Sequence, residues 1–591
     1  MRKTVNVKKT CILLVFILIL NFLLSVDERN TVGKGMEKSS DFEWDQAVIY
    51  FLLTDRFNNG DKSNDDPNGE NYDKKHLESY HGGDFQGIID KLDYLQELGI
   101  NTIWITPIVD NIDWNLRHDK DSQYAYHGYW AKDFTKIDEH LGDVDIFKEL
   151  LDQAHERNIK VMVDVVLNHA GYGMKEGDMQ AVSNYPRDEE REVFKGMLRL
   201  NPQGKDLVKG ELAGLPDFIT EDLKVRQQII DWQKNWIENT KTQKGNTIDY
   251  FRVDTAKHVE VEMLKDFKDQ VRDIDPDFRM IAEYYDGDIF ANGSVLDKGG
   301  MDGVLDFSFK DIAKSYTKGN FEEAEKKLLA RNKAITEDKT AGQFLSSHDE
   351  NGFLALALGG DTNLFKLASS LQLTAKGQPV IYYGEEIGMS GKSAGDMDKG
   401  EFGENRYDFD WSKVEGNDML DHYKKLLKIR SDYFLLLARG DRNSLVSDKK
   451  IGISTFSRSY EDQTLLVALN NKDKEGTIRI ASDLPKDSKL LDLYSEVAYK
   501  ISDDGSFDIR VPASSKGATA ILKFESPVDI SKFDINILEA QETEDGQVKE
   551  ENNIGQKEIN GEGHSWKTAM LYVIGAAVCL YLLYYLFIRS R

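Results

Sequence analysis

Between residues 48 and 386, short runs rich in β-branched and aromatic residues alternate with longer stretches of helical period. That alternation restricts the fold more than any other feature of the chain, because it is the pattern of a parallel sheet wrapped by helices. Eight runs can be counted: VIYFLLTD from Val48, TIWITPI from Thr102, VMVDVVLN from Val161, DYFRVDT from Asp249, MIAEY from Met280, GVLDFSF from Gly303, GQFLSSHD from Gly342 and VIYYGEE from Val380. The stretches between them include Ile88 to Leu98 and Ile146 to Arg157, with apolar residues three and four apart. Eight such units suit an α/β fold of the closed (β/α)8 TIM-barrel type, expected over residues 41–440. From Asn168 to about Asp222 the chain is long, polar and glycine-rich where a short loop and helix would follow the third strand. This predicts an inserted excursion domain over residues 170–222. After about residue 445 the pattern changes to short alternating runs such as ISTFSR, TLLVALN and ATAILKF, which predict a C-terminal antiparallel β-sandwich over 445–525.

Charge narrows the partners. The 591 residues carry 76 Lys+Arg against 103 Asp+Glu, a formal net charge of −27, which repels phosphate backbones and excludes nucleic acid as a partner. The two cysteines, Cys11 and Cys579, stand near the ends, so the folded middle holds no disulfide. Arg2, Lys3, Lys8 and Lys9 precede an apolar run from Cys11 to Leu24, the layout of a secretory signal over residues 1–26, with an uncleaved anchor as the alternative. Thr568 to Ile588 is a continuous apolar segment of about 21 residues, long enough for the roughly 30 Å hydrocarbon core. It reads as a transmembrane helix, with a buried core helix as the alternative, and residues 589–591 would be a cytoplasmic tail. Residues 526–567 are polar and acidic and read as a solvated tether. The expected placement is a cell membrane, single-pass, with the globular body outside.

In a barrel of this kind, polar residues where a strand finishes point into the mouth of the site. The fourth run carries Arg252 and Asp254, the fifth Glu283, and the seventh His348 and Asp349. One acid at one strand end is more often a helix cap or a calcium ligand. Three converging carboxylates fit glycoside hydrolysis, in which one acid protonates the leaving oxygen and a carboxylate attacks the anomeric carbon. Arg252, two residues before Asp254 and on the same strand face, can keep that carboxylate ionised. Glu283 must instead hold a proton near neutral pH, which requires burial or neighbouring negative charge.

At these residues the sequence resembles the alpha-amylase family of glycoside hydrolases, from about Asp45 to Glu525. Four signatures occur in family order: DVVLNH at Asp164 to His169, FRVDTAKH at Phe251 to His258, AEYYDG at Ala282 to Gly287 and FLSSHD at Phe344 to Asp349. The resemblance implies Asp254 as nucleophile, Glu283 as general acid and base, and Asp349 as the carboxylate that orients sugar hydroxyls. It implies His127, His169 and His348 as sugar hydrogen-bonding groups and Tyr129 as a stacking face, with Arg252 and Lys257 in the same substrate-binding set. Three departures, Ser347, Ala282 and Tyr250, stand where the family usually has Asn, Gly and Gly. They remove no catalytic group but bear on subsite preference and on hydrolysis against glycosyl transfer.

The loop DRFNNGDKSNDDPNG concentrates Asn59, Asp61, Asn64 and Asp65, hard oxygen donors of the kind calcium prefers, with an acidic solvated turn as the plain alternative. It resembles the first-loop calcium site of the cyclodextrin glucanotransferase branch, where Gly82 and Asp84 of HGGDFQG would complete the shell. The family's calcium site between barrel and excursion domain implies Asn168, Asp217 and the main-chain oxygen of His258 as a second set. The expected cofactor is Ca2+.

Together these readings predict a retaining endo-hydrolase of alpha-1,4-glucosidic bonds in starch, maltodextrin or glycogen. A cyclomaltodextrinase, neopullulanase or glucanotransferase is the alternative within the family, and an inactive glycan-binding membrane protein is the alternative of another class.

Overall fold

A computed structural model describes residues 44–67, 72–112, 114–115, 123–176, 186–392, 403–525 and 527–539. The expected signal, the transmembrane segment 568–588 and the tail 589–591 lie outside the described residues.

The eight runs become the eight strands of one closed parallel barrel: β1 (Ile49–Leu52), β2 (Thr102–Ile105), β3 (Lys160–Val166), β4 (Tyr250–Asp254), β5 (Arg279–Ala282), β6 (Gly303–Asp306), β7 (Thr340–Phe344) and β8 (Gln378–Tyr382). Each strand pairs with its sequence neighbours, and β8 closes on β1 through Ile49↔Val380, Tyr50↔Ile381 and Phe51↔Tyr382. Both faces of these strands are covered, so nearly every strand residue is buried, and the runs read as continuous apolar stretches. The outer ring includes α1 (Leu92–Leu98), α2 (Val144–Glu156), α3 (Leu223–Asn239), α4 (Val261–Arg272), α5 (Phe309–Thr317), α6 (Phe321–Ala334), α7 (Thr362–Thr374) and α8 (Asp418–Asp432). In α2, Asp143 caps the start by accepting from the Asp145 and Ile146 amides. Phe147, Leu150, Leu151 and Ala154 then fall on one buried face, as the 3.6-residue period requires.

Between β3 and α3 the chain makes its long excursion. It is fastened to the barrel by an aromatic cluster in which Phe194 and Phe218 of the excursion meet Phe134 and Trp232, with Phe134 and Trp232 stacked 5.1 Å apart.

The C-terminal domain is antiparallel. Strands β9 (Asp441–Asp448), β10 (Ile453–Tyr460), β11 (Gln463–Asn470), β12 (Gly476–Ala481), β13 (Leu490–Asp492), β14 (Val497–Tyr499), β15 (Ser506–Val511), β16 (Thr519–Phe524) and β17 (Asp534–Glu539) form two sheets. One runs β9-β10-β11-β16-β13-β14 and the other β15-β12-β17. Ile478, Ile480, Phe507 and Ile509 of the smaller sheet share a core with Leu466, Leu490 and Leu522 of the larger. The domain boundary expected at residue 525 is corrected. Residues 534–539 pair with β12 from Asp534↔Ala481 to Glu539↔Gly476, with Ile530 and Ile535 in the core, so the first part of the expected tether belongs to the fold. Its apolar residues are diluted by Asp529, Ser531, Lys532, Asp534 and Asn536, which masks the period-2 signal.

The expected single-pass membrane placement is also corrected: among the described residues no helix is long and apolar enough to cross a membrane. The largely buried helix α7 has 13 residues, about 20 Å at 1.5 Å per residue.

Candidate active site

The mouth of the barrel is built by alternation. Register sets Asp164 of β3 beside Arg252 of β4 and Val166 beside Asp254, so one strand face presents Arg252 and Asp254 to the same interior. Arg252 is fully buried and forks among three carboxylates. Its Nη1 donates to both oxygens of Asp164 at 2.9 Å and to Asp254 Oδ1 at 2.5 Å, while its Nη2 lies 2.7 Å from Glu283 Oε1. Glu283 follows β5 directly, held by its own amide on the Val253 carbonyl at 2.9 Å. Thr255, next after Asp254, adopts a left-handed backbone with φ 48°, a strained geometry that turns its amide onto Glu283 Oε2 at 3.0 Å. Asp349, beyond β7, is held from the far side by Arg406 Nη2 at 2.9 Å and lies 3.0 Å from His348 Nε2.

The electrostatics separate the two central acids. Burial pushes Glu283 up to about 8 against the pull of Arg252, with the charges of Asp254 and Asp349 adding to the rise. Burial also raises Asp254, to about 6, where Arg252 opposes it and Asp164 and Asp349 reinforce it. The guanidinium therefore limits the rise of Asp254 without cancelling it. At neutral pH the balance leaves Glu283 the proton holder and Asp254 the anion. Burial lowers His127 and His348 well below the usual range and His169 to about 4, so the three imidazoles are neutral and can exchange donor and acceptor roles with hydroxyls.

These groups line one cavity of about 340 Å³ together with Trp130, Tyr172, Leu212, Leu215, Tyr285 and Arg406. Of the residues expected in the site, His127, Tyr129, His169, Lys257, His348 and the catalytic three all reach this cavity. Tyr129 stacks on His348 at 5.3 Å, with its hydroxyl donating to Asp164 Oδ2 at 2.7 Å. Lys257 Nζ is bound to the Tyr285 carbonyl at 3.1 Å. Sequence reasoning assigned no role to Asp164 or Arg406. The same-face rule that pairs Arg252 with Asp254, applied to β3, would have singled out Asp164. Arg406 lies beyond the last barrel strand in a segment without periodicity, and only the fold brings it to Asp349.

Two family models match the chain, "Alpha amylase, catalytic domain" over residues 51–419 and "Alpha-amylase C-terminal domain" over 440–516. The chain belongs to the alpha-amylase family of glycoside hydrolases. It is 32% identical to the beta/alpha-amylase of Paenibacillus polymyxa over 78% of this chain, which spans only 36% of that longer enzyme. It is 30% identical to neopullulanase 2 of Thermoactinomyces vulgaris over 74% of this chain and 71% of the relative. A crystal structure of an Anoxybacillus alpha-amylase superposes with a TM-score of 0.67 at 30% identity, covering 83% of this chain and all of the other. The Escherichia coli relative, 27% identical over 73% of both chains, is named a periplasmic alpha-amylase, which also runs against the expected membrane placement.

In this alpha-amylase-family chain the two expected calcium sets differ. The first-loop residues gather: Asn59 Nδ2 donates to Asp65 Oδ1 at 2.5 Å, and a Cβ on Gly82 would lie 2.4 Å from each of those atoms. The side-chain oxygens of Asn59 and Asn64 are buried there without a hydrogen-bond partner. Orphaned hard oxygens beside a carboxylate fit a calcium ion. Asp61 accepts from the Ser63 amide and hydroxyl through one oxygen. Asp84 departs from expectation, because its carboxylate caps the helix Phe85–Ile89 by accepting from the Gly87 amide, and also accepts from the Gly60 and Asp61 amides. The second set comes together but does not fit the ion. Asn168 turns its NH2 group onto Asp217 Oδ1 and the His258 carbonyl, each at 2.9 Å, and Arg199 Nε donates to Asp217 Oδ2 at 2.7 Å. Among the described residues, no group of three or more His, Cys, Asp or Glu is arranged to hold a metal.

Proposed function

We propose that this chain cleaves internal alpha-1,4-glucosidic bonds of starch, maltodextrin or glycogen with retention of anomeric configuration. The observation that carries the reading is the single buried guanidinium of Arg252 bound to both Asp254 and Glu283, whose environments leave the proton on Glu283. Glu283 gives that proton to the glycosidic oxygen as the bond to the anomeric carbon breaks, and Asp254 forms the glycosyl ester on the opposite face. Glu283, now ionised, takes a proton from water, whose oxygen displaces Asp254 and restores both carboxyls. Asp349, fixed by Arg406, and the neutral His127, His169 and His348 bind sugar hydroxyls. His348 Nδ1 is buried without a partner and offers one such position.

The 30% identity with a neopullulanase favours a second reading inside the family, with cyclomaltodextrin or pullulan as the preferred substrate. Chromatography of products from soluble starch, pullulan and cyclodextrin separates the two. A ladder of linear maltooligosaccharides from starch supports the first reading. Panose or opened rings formed faster than starch is degraded supports the second, and no product from any of the three overturns both.

A calcium ion is part of the proposal at the first loop only, held by Asn59, Asn64, Asp65, Asp61 and the Gly82 main chain. Its contribution there would be to bind the loop after β1 to the turn that carries Gly82.

A further inference from the structure

Three chain segments meet where the excursion leaves the barrel. Asn168 and His169 follow β3, residues 198–199 return from the excursion, and 217–221 lead into α3. The main chain knits them: His169 bridges Asp217, Leu198 bridges Phe218, and the Arg199 amide donates to the Asp217 carbonyl at 2.7 Å. At the centre lies the buried Arg199 side chain. Its Nε donates to Asp217 Oδ2 at 2.7 Å, and its two terminal nitrogens grip Glu221 in a fork, at 2.9 Å to Oε1 and 2.7 Å to Oε2. Lys209 Nζ stands 3.8 Å from the same Glu221. Asn168 Nδ2 fills the other side, satisfying Asp217 Oδ1 and the His258 carbonyl, while the His258 imidazole reaches the Leu207 carbonyl at 2.8 Å.

Both carboxylate oxygens of Asp217 and the His258 carbonyl already have an N–H donor. This is the reverse of the first loop, where two amide oxygens are buried with none. We propose that Arg199 is the resident cation of this junction, a covalently attached replacement for a calcium ion, and that it excludes calcium from Asn168, Asp217 and His258. A planar guanidinium can do this because its donors match two carboxylates at once and its charge does not depend on metal supply or on pH in the working range. The consequence reaches the active site. Leu212 and Leu215, which wall the catalytic cavity, lie on the loop between Leu207, held by His258, and Asp217, held by Arg199. That wall therefore stays in place when calcium is stripped. Arg199 is a positioning residue, and the inference holds whichever glucan the enzyme prefers.

The test counts calcium per chain after dialysis against calcium buffer, and follows melting with and without chelator. Arg199→Ala should take up one calcium per chain more than the parent. It should melt about 5 °C lower in chelator, with calcium restoring most of the loss. Asp217→Asn in the otherwise unaltered chain should leave the calcium count unchanged. Because each count is a difference from the parent, binding at the first loop cancels. A folded Arg199→Ala chain with the parent's count, or an Asp217→Asn chain that loses one calcium, overturns the proposal. Anomalous diffraction from calcium-grown crystals of the unaltered enzyme needs no variant: a peak between Asn168 and Asp217 overturns it, and none there supports it.

Discussion

Glu283 and Asp254 share one guanidinium yet must do opposite work, and the difference lies in what else surrounds each carboxyl. Burial raises both and Arg252 opposes the rise at both, with Asp254 and Asp349 adding to it at Glu283, which reaches about 8, and Asp164 and Asp349 adding to it at Asp254, which reaches about 6. Catalysis needs Asp254 ionised and Glu283 protonated. Activity should therefore fall as pH drops through about 6 and fall again as pH rises through about 8, the two limbs belonging to the coupled pair. The pH profile of kcat/KM on a maltooligosaccharide checks this, and activity still rising beyond pH of about 9 would contradict the role given to Glu283. Glu283→Gln keeps the size but has no proton to give, so kcat should fall by about 10²–10⁴-fold while oligosaccharide binding, read by calorimetry, persists. The meeting of Asp254, Glu283 and Asp349 in one cavity was legible in sequence because each stands at or just beyond the end of a barrel strand, on the side of the mouth. The protonation order was legible only in direction, since it depends on burial and on Asp164 and Asp349, whose distances to the acids exist only after the barrel closes.

At the scale of elements, the barrel strands were the clearest part of the chain, and all eight runs form strands of the closed sheet. The reason is physical: a strand covered on both faces must be apolar throughout, and no surface requirement dilutes the signal. β17 shows the converse, because a short edge strand alternates its polar residues into solvent and resembles a linker. The first loop was read from donor chemistry and from a family resemblance, and the fold brings Asn59, Asp65 and Gly82 together. Gly82 sits at φ 82° with no room for a Cβ between Asn59 and Asp65. Gly82→Ala should therefore destabilise the fold by about 1–3 kcal/mol in urea unfolding and abolish the calcium-dependent part of the melting temperature. Chelation of the unaltered enzyme should lower its melting temperature, with a ligand at about 100 times its dissociation constant worth about 2.7 kcal/mol. A melting curve indifferent to chelator, with metal analysis confirming removal, would rule out the first-loop site.

At the scale of the whole molecule, the fold reaches past the point that the sequence pattern suggests, and the difference can be measured. Residues 528–539 contribute Ile530 and Ile535 to the core between the two C-terminal sheets and supply the edge strand that covers β12. Ending the chain at Glu525 would strip both from a three-stranded sheet and leave β12 with one partner, β15. Each buried isoleucine is worth roughly 1.5–3 kcal/mol, and a bare strand edge invites pairing between chains. The catalytic barrel is also tied to this domain. Arg458, fully buried on β10, donates to the carbonyls of Leu436, Leu437 and Gly440 at 2.9–3.0 Å, and also to that of Thr374 at the end of α7. Loosening the sheets should therefore reach the barrel. Two truncated chains, one ending at Glu539 and one at Glu525, both lack residues 540–591, so any contrast between them belongs to the fourteen residues from 526 to 539. The longer should remain monodisperse and active on starch. The shorter should melt several degrees lower and aggregate on warming, with a loss of activity that follows the melting curve and no change in the pH limbs set by Asp254 and Glu283. Equal melting temperatures for the two would mean that β17 adds nothing to the domain it pairs with.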